Sequence, residues 1–196
     1  MKGAAAGEPV EPAGGQADGM WVFGYGSLMW NPGFPFEERS RALLIGRHRR
    51  LCVVSRHHRG TAARPGLVMG LDRGGSCRGI AYRVPAAAVA ATLAYLDERE
   101  IAHYPVYRRA VLPVRLHPDG GGPPRQRTAV TYVVDRRDPD YAGHLPVDRQ
   151  AEIVAGAHGL SGDNRDYLAA TVRHIHALGL RDRRLEAVLR ALGETV

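Results

Sequence analysis

The strongest constraint on the fold is a change of pattern at Asp138-Pro139-Asp140. Before this point, short apolar runs alternate with glycine-rich breaks, which is typical of β-strands joined by turns. After it, apolar residues recur at helical spacing. A chain that begins with strands and ends with helices predicts an α+β fold, here with a small twisted sheet or barrel.

The element boundaries follow from the same patterns. Strands are predicted at 20–24, 42–46, 51–55, 67–72 and 78–84, then at 106–116 and 128–135, with a flexible turn at 120–124. A central helix is predicted over 86–99 because Pro85 precedes an alanine-rich run. Further helices are predicted at about 146–157, 164–178 and 182–192, with Asp163 or Asn164 as an N-cap.

Length and composition predict one domain. At 196 residues and 21.3 kDa, the chain is long enough to bury a substantial core. We expect the domain to span residues 20–196. Of the first 19 residues, 12 are Gly, Ala or Pro, so residues 1–19 are expected to form a disordered tail. No apolar run approaches the roughly 20 residues of a membrane helix. We therefore expect a cytoplasmic protein that does not enter a membrane.

The net charge of +7 raises the question of nucleic-acid binding. Lys2 is the only lysine, so nearly all the basic residues are arginine, a bias typical of genome-wide codon preference. The arginines are scattered along the sequence, which argues against a dedicated nucleic-acid surface. Metal binding has little support either, because Cys52 and Cys77 lack metal-ligand spacing, and His174 and His176 fall on different sides of a helix.

Residues 21–29 carry the first functional signal. The apolar run Trp21-Val22-Phe23 leads into Gly24-Tyr25-Gly26-Ser27-Leu28, a loop whose backbone amides can crowd together around a carboxylate or an oxyanion. The loop matches neither a dinucleotide fingerprint nor a Walker A sequence. A tight turn that only closes the sheet explains the same residues.

Glu100 is the second candidate. At about 100° per residue, Val89, Leu93 and Leu96 form one helical stripe, and Glu100 returns to within roughly 20° of it. Burial and the C-terminal end of the helix dipole would both raise the pKa of this carboxyl group toward the range useful for proton transfer. The alternative is that the helix ends earlier and Glu100 pairs with a nearby arginine on the surface.

Other side chains are weaker candidates. Tyr141 could hydrogen-bond a ligand, although a tyrosine packed within a loop is the common case. Ser27 lacks the glycine two places further on that a nucleophile elbow uses, so it is better suited to binding than to attack.

Taken together, the motifs resemble the ChaC family of γ-glutamylcyclotransferases, which act on glutathione. The matching segments occur in the family's order and cover about residues 20 to 178: 22–28, 58–60, 65–66, 79–83, 96–100, 139–141 and 161–168. His57 departs from the Asp of many relatives. Residues 101–107 resemble bacterial members more than animal ones.

The resemblance implies an α+β fold with a small barrel and a reaction without metal or organic cofactor. It assigns the γ-glutamyl group to Tyr25, Gly26, Ser27 and Leu28, and the acid–base role to Glu100. Arg56 and Arg59 are our candidates for the glycine carboxylate of glutathione, because arginine suits bidentate carboxylate binding.

The implied reaction is cleavage of glutathione into 5-oxoproline and cysteinylglycine, with no obligate protein partner. Three alternatives stay open at this point. They are a cyclotransferase for other γ-glutamyl amides, a non-enzymatic accessory of cation transport, and a nucleic-acid-binding protein.

Overall fold

A computed structural model describes residues 19–102, 104–118 and 121–194; the predicted tail, Gly19 apart, lies outside this part of the chain. The strands are β1 (Met20–Gly24), β2 (Glu38–Ser55), β3 (Gly66–Val84), β4 (Tyr107–His117), β5 (Arg125–Val134), β6 (His158–Gly159) and β7 (Gly162–Asp163). The helices are α1 (Val89–Glu100), α2 (Val147–Gly156), α3 (Asn164–Ala177) and α4 (Arg183–Ala191), with 3₁₀ turns at Ser27–Met29 and Ala86–Ala88.

Within the described residues, β1 to β5 form a closed barrel in the order β1-β3-β2-β4-β5. A long antiparallel hairpin of β2 and β3 is its largest component, and β4 and β5 form a second hairpin. β1 pairs antiparallel with the end of β3 and parallel with β5, which closes the barrel. The predicted α+β class with a barrel is confirmed.

The long hairpin corrects the predicted boundaries. The segments 42–46 and 51–55 belong to one strand, as do 67–72 and 78–84. Gly46, the last residue of the predicted strand 42–46, has a φ of +84° at a β-bulge between Ile45 and Arg47, so the strand continues past it. The helices α1 to α4 agree with their predicted positions to within a few residues. The short β6–β7 hairpin was not predicted.

Two apolar clusters stabilise the fold. The first fills the barrel and includes Phe23, Leu44, Leu71, Leu116 and Val133. The second joins the outside of the barrel to the helices, through residues such as Leu96 of α1, Leu168 of α3 and Leu185 of α4. Because successive side chains of a strand point to opposite faces of the sheet, one strand contributes residues to both clusters.

Part of the edge of β3 is covered by side chains rather than by a strand. β1 pairs only with Ile80–Val84, so the amides and carbonyls nearer the start of β3 need other partners. The Asn164 side chain donates to the Leu67 carbonyl (2.8 Å) and accepts from the Leu67 amide (2.7 Å). Tyr107 donates its hydroxyl to the Met69 carbonyl, and the Tyr167 hydroxyl accepts from the Met69 amide (3.2 Å).

Two further observations bear on the sequence analysis. Cys52 and Cys77 are free thiols, both buried. In the described ranges, no helix is long and apolar enough to cross a membrane.

Candidate active site

A cavity of about 450 Å³ opens beside the edge of β3 that side chains cover. Its lining includes the loop after β1, the end of α1, the loop between β2 and β3, and residues of β3, β4 and α3. The structure brings to it six of the eight residues predicted from sequence: Tyr25, Gly26, Ser27, Leu28, Arg59 and Glu100.

The loop after β1 is folded tightly. A Cβ on Gly24 would lie 2.9 Å from the Cβ of Leu28, so this position requires glycine for the chain to turn back on itself. Gly26 then opens the 3₁₀ turn, accepting a hydrogen bond from the Met29 amide (2.9 Å). The first amides of such a turn have no acceptor within it, so they are available to a ligand.

Buried Arg49 of β2 supports this loop from behind. Its Nε donates to the Tyr25 carbonyl, and its Nη2 donates to the Arg78 carbonyl (2.7 Å). Its Nη1 pairs with Asp182 (3.0 Å), the N-cap of α4. A single guanidinium therefore ties the loop to the barrel and to the C-terminal helix.

Glu100 is the last residue of α1, and its side chain is only 19% exposed. The helix reaches this residue, one position beyond the predicted range 86–99, so the alternative of an earlier helix end is wrong. Burial raises the pKa of the Glu100 carboxyl group, and the charge of Arg99 partly opposes this shift. A half-buried carboxyl group with a raised pKa, inside a cavity, is suited to proton transfer.

Arg99 connects the carboxylate to the loop. Its Nε lies 3.4 Å from Oε1 of Glu100, and its Nη2 donates to Oγ of Ser27 (3.0 Å). Its Nη1 also donates to the Asn31 carbonyl (2.8 Å). One planar side chain therefore contacts both the Glu100 carboxylate and the loop.

Tyrosines form much of the remaining wall. Tyr107 and Tyr167 hold the edge of β3 at Met69, and the Tyr104 hydroxyl is hydrogen-bonded to Oγ of Ser55 (2.8 Å). The Tyr25 hydroxyl makes no hydrogen bond to any described residue. Burial and the charge of Glu100 raise the pKa of Tyr25, so this side chain remains a neutral donor.

Arg59 lies on the side of the cavity formed by the β2–β3 loop. Its guanidinium stacks over the Tyr167 ring, 5.2 Å from the centroid, and donates to the Ser161 carbonyl. Nδ1 of His58 and Oγ of Ser161 are 3.0 Å apart. The β6–β7 hairpin, through Ser161, thereby positions Arg59 at the cavity.

The structure does not bring the other two predicted residues, Arg56 and Tyr141, to the cavity. Arg56 pairs with Asp140 on the surface (2.9 Å). The Tyr141 hydroxyl donates to the fully buried carboxylate of Asp72 (2.8 Å). Both side chains are held elsewhere by an aspartate far along the sequence, so we withdraw them as ligand-binding residues.

Several residues that line the cavity were not among the candidates predicted from sequence: Val68, Met69, Arg99, Tyr104 and Tyr107. From the sequence, Arg99 was only a member of the matching segment 96–100 and one of the nearby arginines that could pair with Glu100. Tyr107 stood in a predicted strand, but only the closure of the barrel shows which face it occupies. In the described part of the chain, no group of three or more His, Cys, Asp or Glu side chains is arranged to hold a metal.

Comparison with known proteins identifies a family and relatives to which this chain is similar. The family model described as ChaC-like protein matches residues 20–195. The glutathione-specific γ-glutamylcyclotransferase of Escherichia coli K12 is 34% identical over 173 residues, which cover 87% of this chain and 71% of the relative. The enzyme of the same description from Schizosaccharomyces pombe is 32% identical and covers 80% of this chain and 84% of its own length.

A solved structure supports the same fold. The crystal structure of a selenomethionine-labelled yeast γ-glutamyl cyclotransferase specific to glutathione matches with a TM-score of 0.77. It covers 90% of this chain and 96% of its own, at 24% identity. Because the family model spans almost all of the described residues and two relatives exceed 30% identity over most of the chain, the protein belongs to the ChaC-like family.

Proposed function

We propose that the protein cleaves glutathione into 5-oxoproline and cysteinylglycine. The observation that carries the proposal is the placement of Glu100, half-buried and with a raised pKa, in one cavity with the Gly24–Leu28 loop. The named activity of the relatives supports the same reaction.

The first step is removal of a proton from the substrate. The γ-glutamyl α-amine is an ammonium at neutral pH and has no lone pair for attack. Glu100, as a carboxylate, takes this proton. The free amine then attacks its own γ-carbonyl carbon, and the five-membered ring of 5-oxoproline closes. Because both reacting groups belong to one molecule, a cavity that folds the substrate supplies much of the rate through proximity.

The second step releases the leaving group. As the tetrahedral intermediate collapses, the bond from the γ-carbon to the cysteine nitrogen breaks. Glu100 gives its proton to that nitrogen and also transfers to it the second proton that the ring nitrogen loses on becoming a lactam N–H, so cysteinylglycine leaves as an ammonium and the enzyme regains its carboxylate. No bond to the enzyme forms, which agrees with Ser27 accepting a hydrogen bond from Arg99 rather than being activated by a base.

The remaining residues hold the substrate. The amides of Gly26 to Leu28 receive the glutamyl carboxylate or the developing oxyanion, with Tyr25 as an additional donor. Arg59, which lines the cavity, pairs in this proposal with the glycine carboxylate at the other end of glutathione. We further propose that the protein works in the cytoplasm, without an organic cofactor, nucleic acid, membrane or obligate protein partner.

The decisive variant is Glu100→Gln, which keeps the shape of the side chain but removes its proton chemistry. We expect kcat to fall by about 10²- to 10⁴-fold, the usual contribution of a positioned acid–base group. The measurement is release of 5-oxoproline from reduced glutathione, without added metal. The melting temperature should not fall, because a carboxyl group with a raised pKa destabilises the folded state once it ionises.

Glu98→Gln is the matched control, since Glu98 is exposed on the same helix and does not line the cavity. It should retain wild-type turnover. Equal turnover by wild type and Glu100→Gln would refute the role of Glu100. A parallel assay with γ-glutamyl-alanine separates a glutathione-specific enzyme from a general γ-glutamyl cyclotransferase, and inactivity on both substrates would favour the accessory role.

A further inference from the structure

A second cleft, of about 410 Å³, is lined by five arginines and shares no residue with the active-site cavity. The arginines come from β2, β3, β4 and the turn after β5: Arg47, Arg73, Arg108, Arg136 and Arg137. This cluster could not be predicted from the sequence, because its residues are distributed over 90 positions of the chain.

Arg47 and Arg73 face each other in the β2–β3 register, so their side chains leave the same face of the sheet. Like charges placed directly opposite on paired strands repel and destabilise the pairing. Neither guanidinium forms a hydrogen bond or ion pair with any described residue. Burial lowers the pKa of Arg47, and the neighbouring charge of Arg73 lowers it further.

The other three arginines are only partly neutralised. Arg108 and Arg137 share the single carboxylate of Asp135, at 3.4 and 3.2 Å. Arg136 pairs with the buried carboxylate of Asp72 (2.7 Å). Two carboxylates therefore face five guanidinium groups, and the cleft carries a clear excess of positive charge.

We propose that this cleft binds a small molecule carrying a di- or triphosphate group. Guanidinium groups match phosphate oxygens in paired hydrogen bonds, and a single carboxylate ligand would leave most of the excess charge uncompensated. The volume of the cleft is in the range of small-molecule sites. An inorganic oligophosphate and the phosphate chain of a nucleotide share this chemistry.

The test is calorimetric titration of the full-length protein with sodium triphosphate at about 0.15 M salt, where weak surface charge effects are screened. We expect saturable binding of one triphosphate per chain. The double variant Arg47→Gln/Arg73→Gln should bind about tenfold more weakly or worse, since each charged hydrogen bond lost has a comparable cost. Its melting temperature should not fall, because the substitution removes like-charge repulsion.

The control is Arg115→Gln/Arg127→Gln, which removes the same charge from exposed positions on β4 and β5 outside the cleft. It should bind triphosphate within about twofold of wild type, well inside the tenfold loss expected for the cleft variant. Absence of saturable binding, or equal losses in both double variants, would overturn the proposal. Titration with ATP in place of triphosphate distinguishes an inorganic oligophosphate from a nucleotide as the ligand. Equal affinity indicates recognition of the phosphates alone, and tighter binding of ATP indicates a nucleotide. Tighter binding of a single-stranded oligonucleotide through Arg47 and Arg73 would replace this proposal with a nucleic-acid site.

Discussion

At the scale of single residues, the cavity depends on two adjacent side chains with opposite charges. Arg99 and Glu100 end the same helix, yet one arginine contacts the loop serine and the carboxylate together. Because the charge of Arg99 opposes the effect of burial on Glu100, the pair sets how readily the carboxyl group takes up and releases a proton.

This coupling predicts a pH effect for Arg99→Gln. Loss of the positive charge should raise the pKa of Glu100 further, so the acidic limb of the kcat/KM profile should move to higher pH. Arg99→Lys keeps a charge near the carboxylate and should return the limb toward its wild-type position. It should not restore the full rate, because a lysine ammonium cannot contact Ser27 and Glu100 with the same planar geometry. A limb that stays in place in Arg99→Gln would contradict the coupling.

At the scale of secondary-structure elements, the part of the β3 edge that side chains cover organises the site. Asn164 at the start of α3 satisfies both backbone groups of Leu67, and two tyrosine hydroxyls satisfy those of Met69. Asp163 occupies the N-cap position of α3, but its carboxylate contacts His158 (2.7 Å) rather than the helix amides. The helix is thus anchored by Asn164 to the strand that forms one wall of the cavity.

Asn164→Ala should therefore be strongly destabilising. It leaves the amide and the carbonyl of Leu67 buried without partners, at about 1 to 3 kcal/mol each, so the free energy of unfolding should fall by about 2 to 6 kcal/mol. Chemical denaturation measures this loss. Asn31→Ala makes the same substitution at an exposed position and should change stability by less than about 0.5 kcal/mol. Similar losses in the two variants would rule out the strand-edge role.

The elements also show what sequence can and cannot predict. The helical stripe placed Glu100 correctly, because one helix has a fixed periodicity. Strand ends were misjudged at Gly46, since a glycine in a bulge and a glycine in a turn look alike in sequence. Arg56 and Tyr141 were chosen by residue type, and their true partners, Asp140 and Asp72, are distant contacts that only the folded chain reveals.

At the scale of the whole molecule, buried Asp72 joins three parts of the fold. Its carboxylate accepts hydrogen bonds from Arg136 (2.7 Å), Tyr141 (2.8 Å) and the Arg73 amide (2.7 Å), and Arg50 lies 3.4 Å away. Burial alone would raise the pKa of Asp72, but these hydrogen bonds outweigh it and lower the pKa to about 2. The charged form is therefore the one that stabilises the fold.

Asp72→Asn should lower the free energy of unfolding at neutral pH by about 3 to 5 kcal/mol, because it leaves buried arginine without its counter-charge. Wild-type stability should also decline as the pH falls from the ordinary aspartate pKa of 3.8 toward about 2, and this decline should be smaller in the variant. Denaturation curves at several pH values measure both effects. Asp148→Asn, at an exposed site in the first turn of α2, should cost less than about 1 kcal/mol. If the loss of stability at low pH is the same in Asp72→Asn as in the wild type, other carboxylates cause that loss.

The way in which the edge of β3 is closed also has a consequence for synthesis on the ribosome. The carbonyl of Met69 has no partner until Tyr107 has been translated, and its amide has none until Tyr167 follows, almost 100 residues after Met69. Until α3 has emerged, a nascent chain carries the loop and Glu100 but lacks a complete wall around the substrate. Catalysis should therefore begin late and abruptly during translation, when the last tyrosine docks.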